Sequence, residues 1–214
     1  MDCVFSRRRF SSKKLTLESL LSQATISNSS SYTSGNNGQY QTSIQFMLLQ
    51  GSPVYLLSIC FGYIGIWKIN NRSVQSTPLL KSNNSYGGLT YNQGWYYYYN
   101  GGYSTSAQYS SVYGATIAQM IFPSDIDTAD IDNLLSTATA SRLGYRNSGS
   151  TGSVSTSNKA NSVYIATKGS GIDFWIPNGT TYTKINGTST AAASTSGSNL
   201  TLGSVYGGSI IGLI

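Results

Sequence analysis

Short runs of β-branched and aromatic residues alternate with glycine-containing turn signals along much of this chain. In the clearest series, the runs VYIATK, IDFWI and TYTKI are separated by Gly169-Ser170-Gly171 and Pro177-Asn178-Gly179, and a further predicted turn, Asn186-Gly187, follows the third run. Strand-length runs divided by such turns are typical of antiparallel hairpins. The pattern predicts a mainly β fold with antiparallel regions of the sandwich or jelly-roll-like kind.

The amino-acid composition favours the same fold class. The chain has 17 Tyr, 6 Phe and 3 Trp, and aromatic side chains bury large areas and suit pleated surfaces. Only 9% of the residues are charged, whereas a soluble surface normally carries about a quarter to a third of charged residues. A neutral surface of this kind is typical of subunits that cover one another, so we expect a homo-oligomer, with a trimer as one form.

We expect three regions. Residues 1–38 form a basic docking arm and a loop, in which TLESLLSQ makes two helical turns capped by Thr16 and residues 27–38 are the loop. Residues 39–146 form the main β domain. Residues 147–214 form a C-terminal β module, which follows the Ser- and Gly-rich linker NSGSTGSVSTSNKAN.

One longer helix is predicted near residues 125–142. Ser124 and Asp127 have the spacing of a capping box, and Arg142 with Gly144 would mark the end. Helical spacing of apolar residues supports it, at Ile131, Leu134, Leu135 and Ala138. The acids at its start lack the Gly and late Glu of a calcium loop, so we assign Asp125, Asp127, Asp130 and Asp132 to the helix rather than to a metal.

The uncharged stretch from Gln39 to Trp67 resembles a membrane segment in hydropathy alone. The turn signal Gln50-Gly51-Ser52-Pro53 breaks it, and the remainder is shorter than the roughly 20 residues that a transmembrane helix needs. Two buried strands are the better interpretation, with no membrane span. The apolar stretch SIIGLI at residues 209–214 is a strand that we expect to need a partner, because an exposed edge of that kind aggregates.

The residue types needed for catalysis are scarce. The chain has no histidine, which removes the commonest general base and metal ligand, and Glu18 is its sole glutamate. A two-carboxylate hydrolase would have to combine Asp173 with the helix acids, and their spacing does not suggest it. Cys3 and Cys60 form no recognisable framework. We therefore expect no enzymatic activity, no cofactor and no metal.

The basic residues concentrate at one place, in FSRRRFSSKK, as Arg7, Arg8, Arg9, Lys13 and Lys14. Three interpretations remain open. The segment could dock into an acidic groove of a partner protein, remain a solvated tail, or contact the phosphates of packaged nucleic acid. Docking to a partner protein and a solvated tail are both favoured over contact with nucleic acid. Contact with phosphates would require only the Lys and Arg side chains.

An aromatic run is the most conspicuous local feature, formed by Trp95, Tyr96, Tyr97, Tyr98 and Tyr99. On a strand, successive side chains face opposite ways, so both faces carry aromatic rings. Burial in the domain and in an interface between subunits is the favoured interpretation. Stacking on sugar rings, together with Trp175, is the alternative.

The layout of the chain resembles bacteriophage virion proteins of the fibre and capsid-decoration kind. The resemblance covers the leader FSRRRFSSKKLTLESLL, the joint NSGSTGSVSTSNKAN and the module VYIATKGSGIDFWIPNGTTYTKI. It implies that an N-terminal segment docks to other virion proteins while a distal β domain faces outward. The start MDCVFSRRRF lacks a secretory signal, so we expect assembly in the host cytoplasm and a place in the virion. A carbohydrate-binding module or surface adhesin is the alternative, and a membrane-associated scaffold the third.

Overall fold

The computed structural model describes residues 14–32, 39–47, 53–60, 62–70, 73–75, 77–82, 89–97, 102–110, 115–145, 161–188, 192–202 and 208–214. Two helices lie in these ranges, α1 (Leu17–Ser22) and α2 (Thr128–Thr137). The strands are β1 (Thr25–Tyr32), β2 (Gln39–Met47), β3 (Val54–Cys60), β4 (Tyr63–Asn70), β5 (Ser73–Val74), β6 (Leu80–Lys81), β7 (Leu89–Tyr97), β8 (Gly102–Ser110), β9 (Ala115–Ile121), β10 (Ala140–Tyr145), β11 (Val163–Lys168), β12 (Gly171–Asn178), β13 (Thr181–Gly187), β14 (Ala193–Ser196), β15 (Asn199–Leu202) and β16 (Ser209–Leu213).

The strands form antiparallel sheets. The first sheet has the order β1-β9-β3-β4-β5, with β6 paired to β4, and the second has the order β10-β16-β11-β12-β13. A three-stranded sheet, β2-β8-β7, lies beside the first sheet through β1 and β9. The β14–β15 hairpin is separate from these sheets. The prediction of a mainly β fold is confirmed.

The main hydrophobic core lies between the first and second sheets. Alternate residues of β3 and β4 enter it from one side, and alternate residues of β11, β12 and β16 enter it from the other. Both helices add to the same core, through Leu20 and Leu21 of α1 and through Ile131 and Leu135 of α2. Residues before and after position 147 therefore share one core, and the division into three regions stays a prediction.

A smaller core lies on the opposite face of the second sheet. Tyr164 and Ala166 of β11 and Ile210 of β16 enter it, and the β14–β15 hairpin covers it with Leu200 and Leu202. The second sheet is thus buried on both faces at its centre. This arrangement explains why β11 and β16 are almost continuously apolar instead of alternating with polar residues.

The predicted hairpins of the C-terminal module are confirmed by the structure. The strands β11 and β12 pair from Tyr164 with Trp175 to Lys168 with Gly171, and β12 pairs with β13 as far as Asn178 with Thr181. The turn between β12 and β13 places Gly179 at a φ of 60°, which a residue with a Cβ adopts at a cost. The predicted turn at Asn186 is wrong, since β13 continues to Gly187.

The central helix is shorter than predicted. Asp127 is the N-cap and accepts a hydrogen bond from Ala129 N, so Ser124 does not cap the helix. The helix ends at Thr137, and the segment that includes Arg142 and Gly144 forms β10 instead. Pairing of β10 with β16 decides this outcome, because a tertiary partner overrides weak local helix propensity.

Two further sequence predictions need correction. Residues 27–32, predicted as part of a loop, belong to β1 and pair with β9. The stretch predicted as a single strand after Pro53 contains two strands, β3 and β4, which reverse direction near Gly62. The φ of Gly62 is 76°, a conformation that permits the tight reversal.

The predicted two helical turns with a Thr16 cap are confirmed as α1.

The expectation that SIIGLI needs a partner is met inside the chain. β16 pairs with β10 on one side and with β11 on the other, and it is buried along its length. It is therefore a central strand and not an open edge. The expectation that this segment pairs with a strand of another subunit is corrected.

Several edge strands have features that disfavour pairing with further strands. Register irregularities interrupt the pairing of β1 with β9, β10 with β16, β12 with β13, and β7 with β8. In the second sheet, one edge strand carries the exposed Arg142 and the other carries Lys184. Bulges and charges on edge strands discourage edge-to-edge association. Joining of copies by simple addition of strands to the second sheet is therefore disfavoured.

Candidate assembly surface and structural charge clusters

The helix α1, which follows the basic arm in the sequence, is anchored in the fold. Lys14 is exposed and lies just before α1, whereas Arg7, Arg8, Arg9 and Lys13 lie outside the described residues. The Thr16 side chain accepts a hydrogen bond from Ser19 N, and Ser19 bonds back to Thr16 N, which completes a capping box. The helix that follows the arm in the sequence is thus capped at its start.

The carbonyl end of α1 is held by a side chain of the second sheet. Nδ2 of Asn186 donates to the carbonyl oxygens of Leu21, at 2.7 Å, and Ala24, at 2.6 Å. Leu20 and Leu21 themselves are fully buried in the main core. A helix of this length is unstable alone, so these contacts position it. Sequence reasoning missed Asn186 because Asn-Gly was taken as a turn.

The aromatic run is described only in part. Trp95, Tyr96 and Tyr97 lie on β7, an edge strand of the three-stranded sheet, and the backbone of Tyr97 pairs with Tyr103 of β8. The side chains of this strand, and the whole of Tyr98 and Tyr99, lie outside the described residues. Their proposed part in assembly or glycan stacking stays a prediction.

Trp175 belongs to a different sheet from that run. It is on β12, between Tyr164 of β11 and Lys184 of β13, and it is half-buried against the smaller core. Its indole Nε1 is buried and has no hydrogen-bond partner. The structure therefore gives Trp175 a packing role on the second sheet.

Asp173 is a fully buried carboxylate on β12. Its Oδ2 accepts a hydrogen bond of 2.6 Å from Ala192 N, at the start of β14, and Nζ of Lys184 lies 2.6 Å from its Oδ1. The second contact does not have the angles of a hydrogen bond, and its short distance makes it an ion pair. Asp173 thereby links β12, β13 and the hairpin that covers the smaller core. The sequence signal for such a pair is a single acidic residue within the otherwise apolar run IDFWI, because a buried carboxylate needs a charged or hydrogen-bonding partner.

A second charge cluster joins α2 to the first sheet. The hydroxyl of Tyr55 donates to Oδ1 of Asp132 at 2.7 Å, and Nζ of Lys68 pairs with Oδ2 of the same carboxylate. Burial raises the pKa of Tyr55 well above its ordinary value, and the hydrogen bond and charge of Asp132 raise it further. The tyrosine therefore stays protonated and suits a structural bond better than proton transfer.

Polar contacts also join the first sheet to the second. Ser209 Oγ accepts a hydrogen bond of 3.0 Å from Gly62 N, and Thr116 Oγ1 donates to the carbonyl of Gly169 at 2.8 Å. The guanidinium of Arg142 lies 4.8 Å from the centre of the Tyr63 ring and donates to its hydroxyl. These bonds fix the two sheets to each other beyond their shared core.

The exposed positions of the second sheet and of the β14–β15 hairpin are nearly uncharged. Among residues 161–188 and 192–202, Lys184 is the only charged residue at an exposed position, and its amine is drawn to Asp173. The other exposed positions carry hydroxyl, amide or glycine residues, namely Asn161, Ser170, Asn178, Gly179, Thr180, Thr181, Thr183, Ser194, Thr195, Ser196, Gly197 and Ser198. We call these residues the neutral face.

No group of three or more His, Cys, Asp or Glu side chains among the described residues is placed to hold a metal ion. None of the helices in the described ranges is long and apolar enough to cross a membrane. No family model, curated protein or solved structure significantly matches this chain.

Proposed function

We propose that this chain is a non-enzymatic structural subunit of a virion-type particle, which assembles with its own copies and with other particle proteins. The neutral face is the observation that carries the proposal. A free surface normally uses interspersed charges to prevent association, and this face carries a single one, already paired. Contact between two such faces desolvates hydroxyl groups, which costs much less than desolvating ions.

The placement of the charged side chains supports a structural role. Asp173 and Asp132 lie in contacts that join separate elements, and Asp127 caps α2. These described carboxylates therefore contribute to holding the fold together.

Assembly would use the neutral face and the arm rather than strand edges. The bulged, charged edges of the second sheet disfavour strand addition. Residues 1–14, which precede the capped start of α1 in the sequence, are the segment proposed to dock to a different protein of the particle. The host cytoplasm is the proposed place of assembly.

Sedimentation of the intact chain at micromolar concentration tests the proposal. We expect an oligomer, and we expect Thr183→Glu with Thr195→Glu to dissociate it, because burying the new carboxylates in a contact between copies would be costly. Asn133→Glu, on the exposed side of α2, is the matched control and should leave the oligomer intact.

A soluble monomer whose stability is independent of concentration would overturn the assembly proposal. Binding of that monomer to a glycan array would then support the carbohydrate-binding alternative. The aromatic run gives an independent check: changing Tyr97 and Tyr99 together to Ser should cause aggregation or loss of assembly.

A further inference from the structure

The second sheet carries the same tripeptide, Asn-Gly-Thr, in two different surroundings. One copy begins at Asn178 in the turn between β12 and β13, and the other begins at Asn186 at the end of β13. Because the local sequences are identical, any difference in their chemistry comes from the fold.

Asparagine followed by glycine is the pair most open to self-modification. The backbone nitrogen of the glycine attacks the side-chain Cγ of the asparagine, a C–N bond forms, and ammonia leaves. Water then opens the resulting five-membered imide to aspartate or isoaspartate. A Cβ on the following residue hinders the attack, which is why glycine favours it.

The surroundings of Asn178 are open. Asn178, Gly179 and Thr180 are all exposed, and beyond Gly179 and its two neighbours in the chain nothing lies within 4 Å of the place where a Cβ on Gly179 would stand. The Asn178 amide donates one hydrogen bond, of 3.0 Å, to the Oγ1 of exposed Thr183. Water can replace that bond at little cost, so the side chain is able to rotate toward the following nitrogen.

The surroundings of Asn186 are closed. Its Nδ2, the group that must leave, donates to the carbonyls of Leu21 and Ala24, and its Oδ1 accepts a hydrogen bond of 2.7 Å from Gly187 N. A Cβ at Gly187 would collide with Oδ1 of Asp173, which shows how tightly this residue is packed. Rotation of Asn186 would break three bonds in a part-buried position.

We propose that Asn178 is a site of spontaneous deamidation and that the fold protects Asn186 from the same reaction. The product places a new carboxylate on the neutral face beside Thr183. The amide that donated to Thr183 is replaced by a group that only accepts. The reaction needs water alone and is faster at higher pH, because the attacking nitrogen must lose its proton.

Trypsin separates the two sites. Cleavage after Lys168 and Lys184 gives the peptide 169–184, which contains Asn178, and the peptide 185–214, which contains Asn186. The full-length folded chain is incubated at mildly alkaline pH and sampled over time, and mass spectrometry measures the fraction of each peptide in the acid form. The same chain in denaturant is the control.

We expect peptide 169–184 to convert several times faster than 185–214 in the folded chain, and the two rates to converge in denaturant. Asn178→Gln should remove the early acidic species, since a longer side chain closes a less favourable ring. Equal rates in the folded chain, or faster conversion of 185–214, would refute the proposal. Conversion of 169–184 in denaturant but not in the folded chain would refute it as well.

Discussion

The hydroxyl of Tyr55 donates a hydrogen bond of 2.7 Å to Oδ1 of Asp132, across 77 residues of sequence. Tyr55 lies on β3 with its ring packed edge-on against Phe122, and Asp132 lies on α2. Lys68 of β4 completes the cluster by pairing with the same carboxylate. The neighbouring strands β3 and β4 are thus joined to the distant helix α2 through one side chain.

Tyr55→Phe should destabilise the fold by about 1–2 kcal/mol, because it removes the hydroxyl while keeping the ring in place. Asp132 is 28% exposed and can regain a bond to water, which limits the loss. Equilibrium unfolding in urea measures the change, and Ser136→Ala on the exposed side of α2 should stay within about 0.5 kcal/mol of the wild type. A loss no larger than that of the control would contradict the structural role of the bond.

The same bond predicts a dependence on alkaline pH. The pKa of Tyr55 is raised in the folded state, so its contribution is fully present below the ordinary tyrosine pKa of about 10. Above that pH the unfolded chain loses the proton while the folded chain keeps it, and stability falls. Wild type should therefore lose stability faster than Tyr55→Phe when unfolding is repeated at rising pH above about 10. Parallel curves for the two proteins would exclude this linkage.

Asp173→Asn should cost about 1–3 kcal/mol of unfolding free energy, because it removes the charge that Lys184 neutralises and weakens the bond from Ala192 N. The cost stays below that of a wholly buried pair, since the lysine side chain is 35% exposed. Asp125→Asn, at an exposed turn, serves as the control, and thermal unfolding distinguishes the two. An effect confined to the mobility of residues 192–202, without loss of global stability, would mean that Asp173 anchors the hairpin only.

Gly65→Ala should disturb the neighbouring indole ring. The Trp67 side chain lies directly over Gly65, and a Cβ there would overlap the ring. Overpacking in a buried site costs about 1–3 kcal/mol. We expect a changed tryptophan emission spectrum together with lower stability. Gly179→Ala is the comparison, because its Cβ would meet open space and only its backbone is strained.

Two truncations should separate the arm from the fold. Deleting residues 1–13 should leave the melting temperature unchanged, because Leu20 and Leu21 are the first buried side chains among the described residues. Deleting residues 1–22 should cost at least about 4 kcal/mol, since loss of each buried leucine costs about 2–5 kcal/mol. Equal stability of the two truncated proteins would show that α1 adds nothing to the core.

Local turn chemistry was the most reliable sequence signal. The hairpins of β11, β12 and β13 were predicted nearly to the residue, because Gly169 and Gly179 mark reversals that depend on the backbone alone. α1 was predicted from its cap for the same reason. Features set within a few residues can be derived from the sequence without knowledge of the fold.

Features set by distant partners could not be derived in this way. β10 was predicted as the end of a helix, since its role depends on β16, which lies more than sixty residues later. The contacts of Asn186 with α1 and of Asp173 with Ala192 have no local sequence signature either. The neutral face was foreseen only as a low overall charge, because its location depends on which residues each sheet exposes.

The central position of β16 imposes an order on the formation of the second sheet. During synthesis β10 and β11 emerge first, and the space between them stays empty until residues 209–213 leave the ribosome. Pairing then joins Ala140 to Leu213, a separation in sequence that slows folding. Until that moment the apolar strand β11 has one unpaired edge, so the newly made chain passes through a stage in which chaperones and neighbouring chains can compete for it.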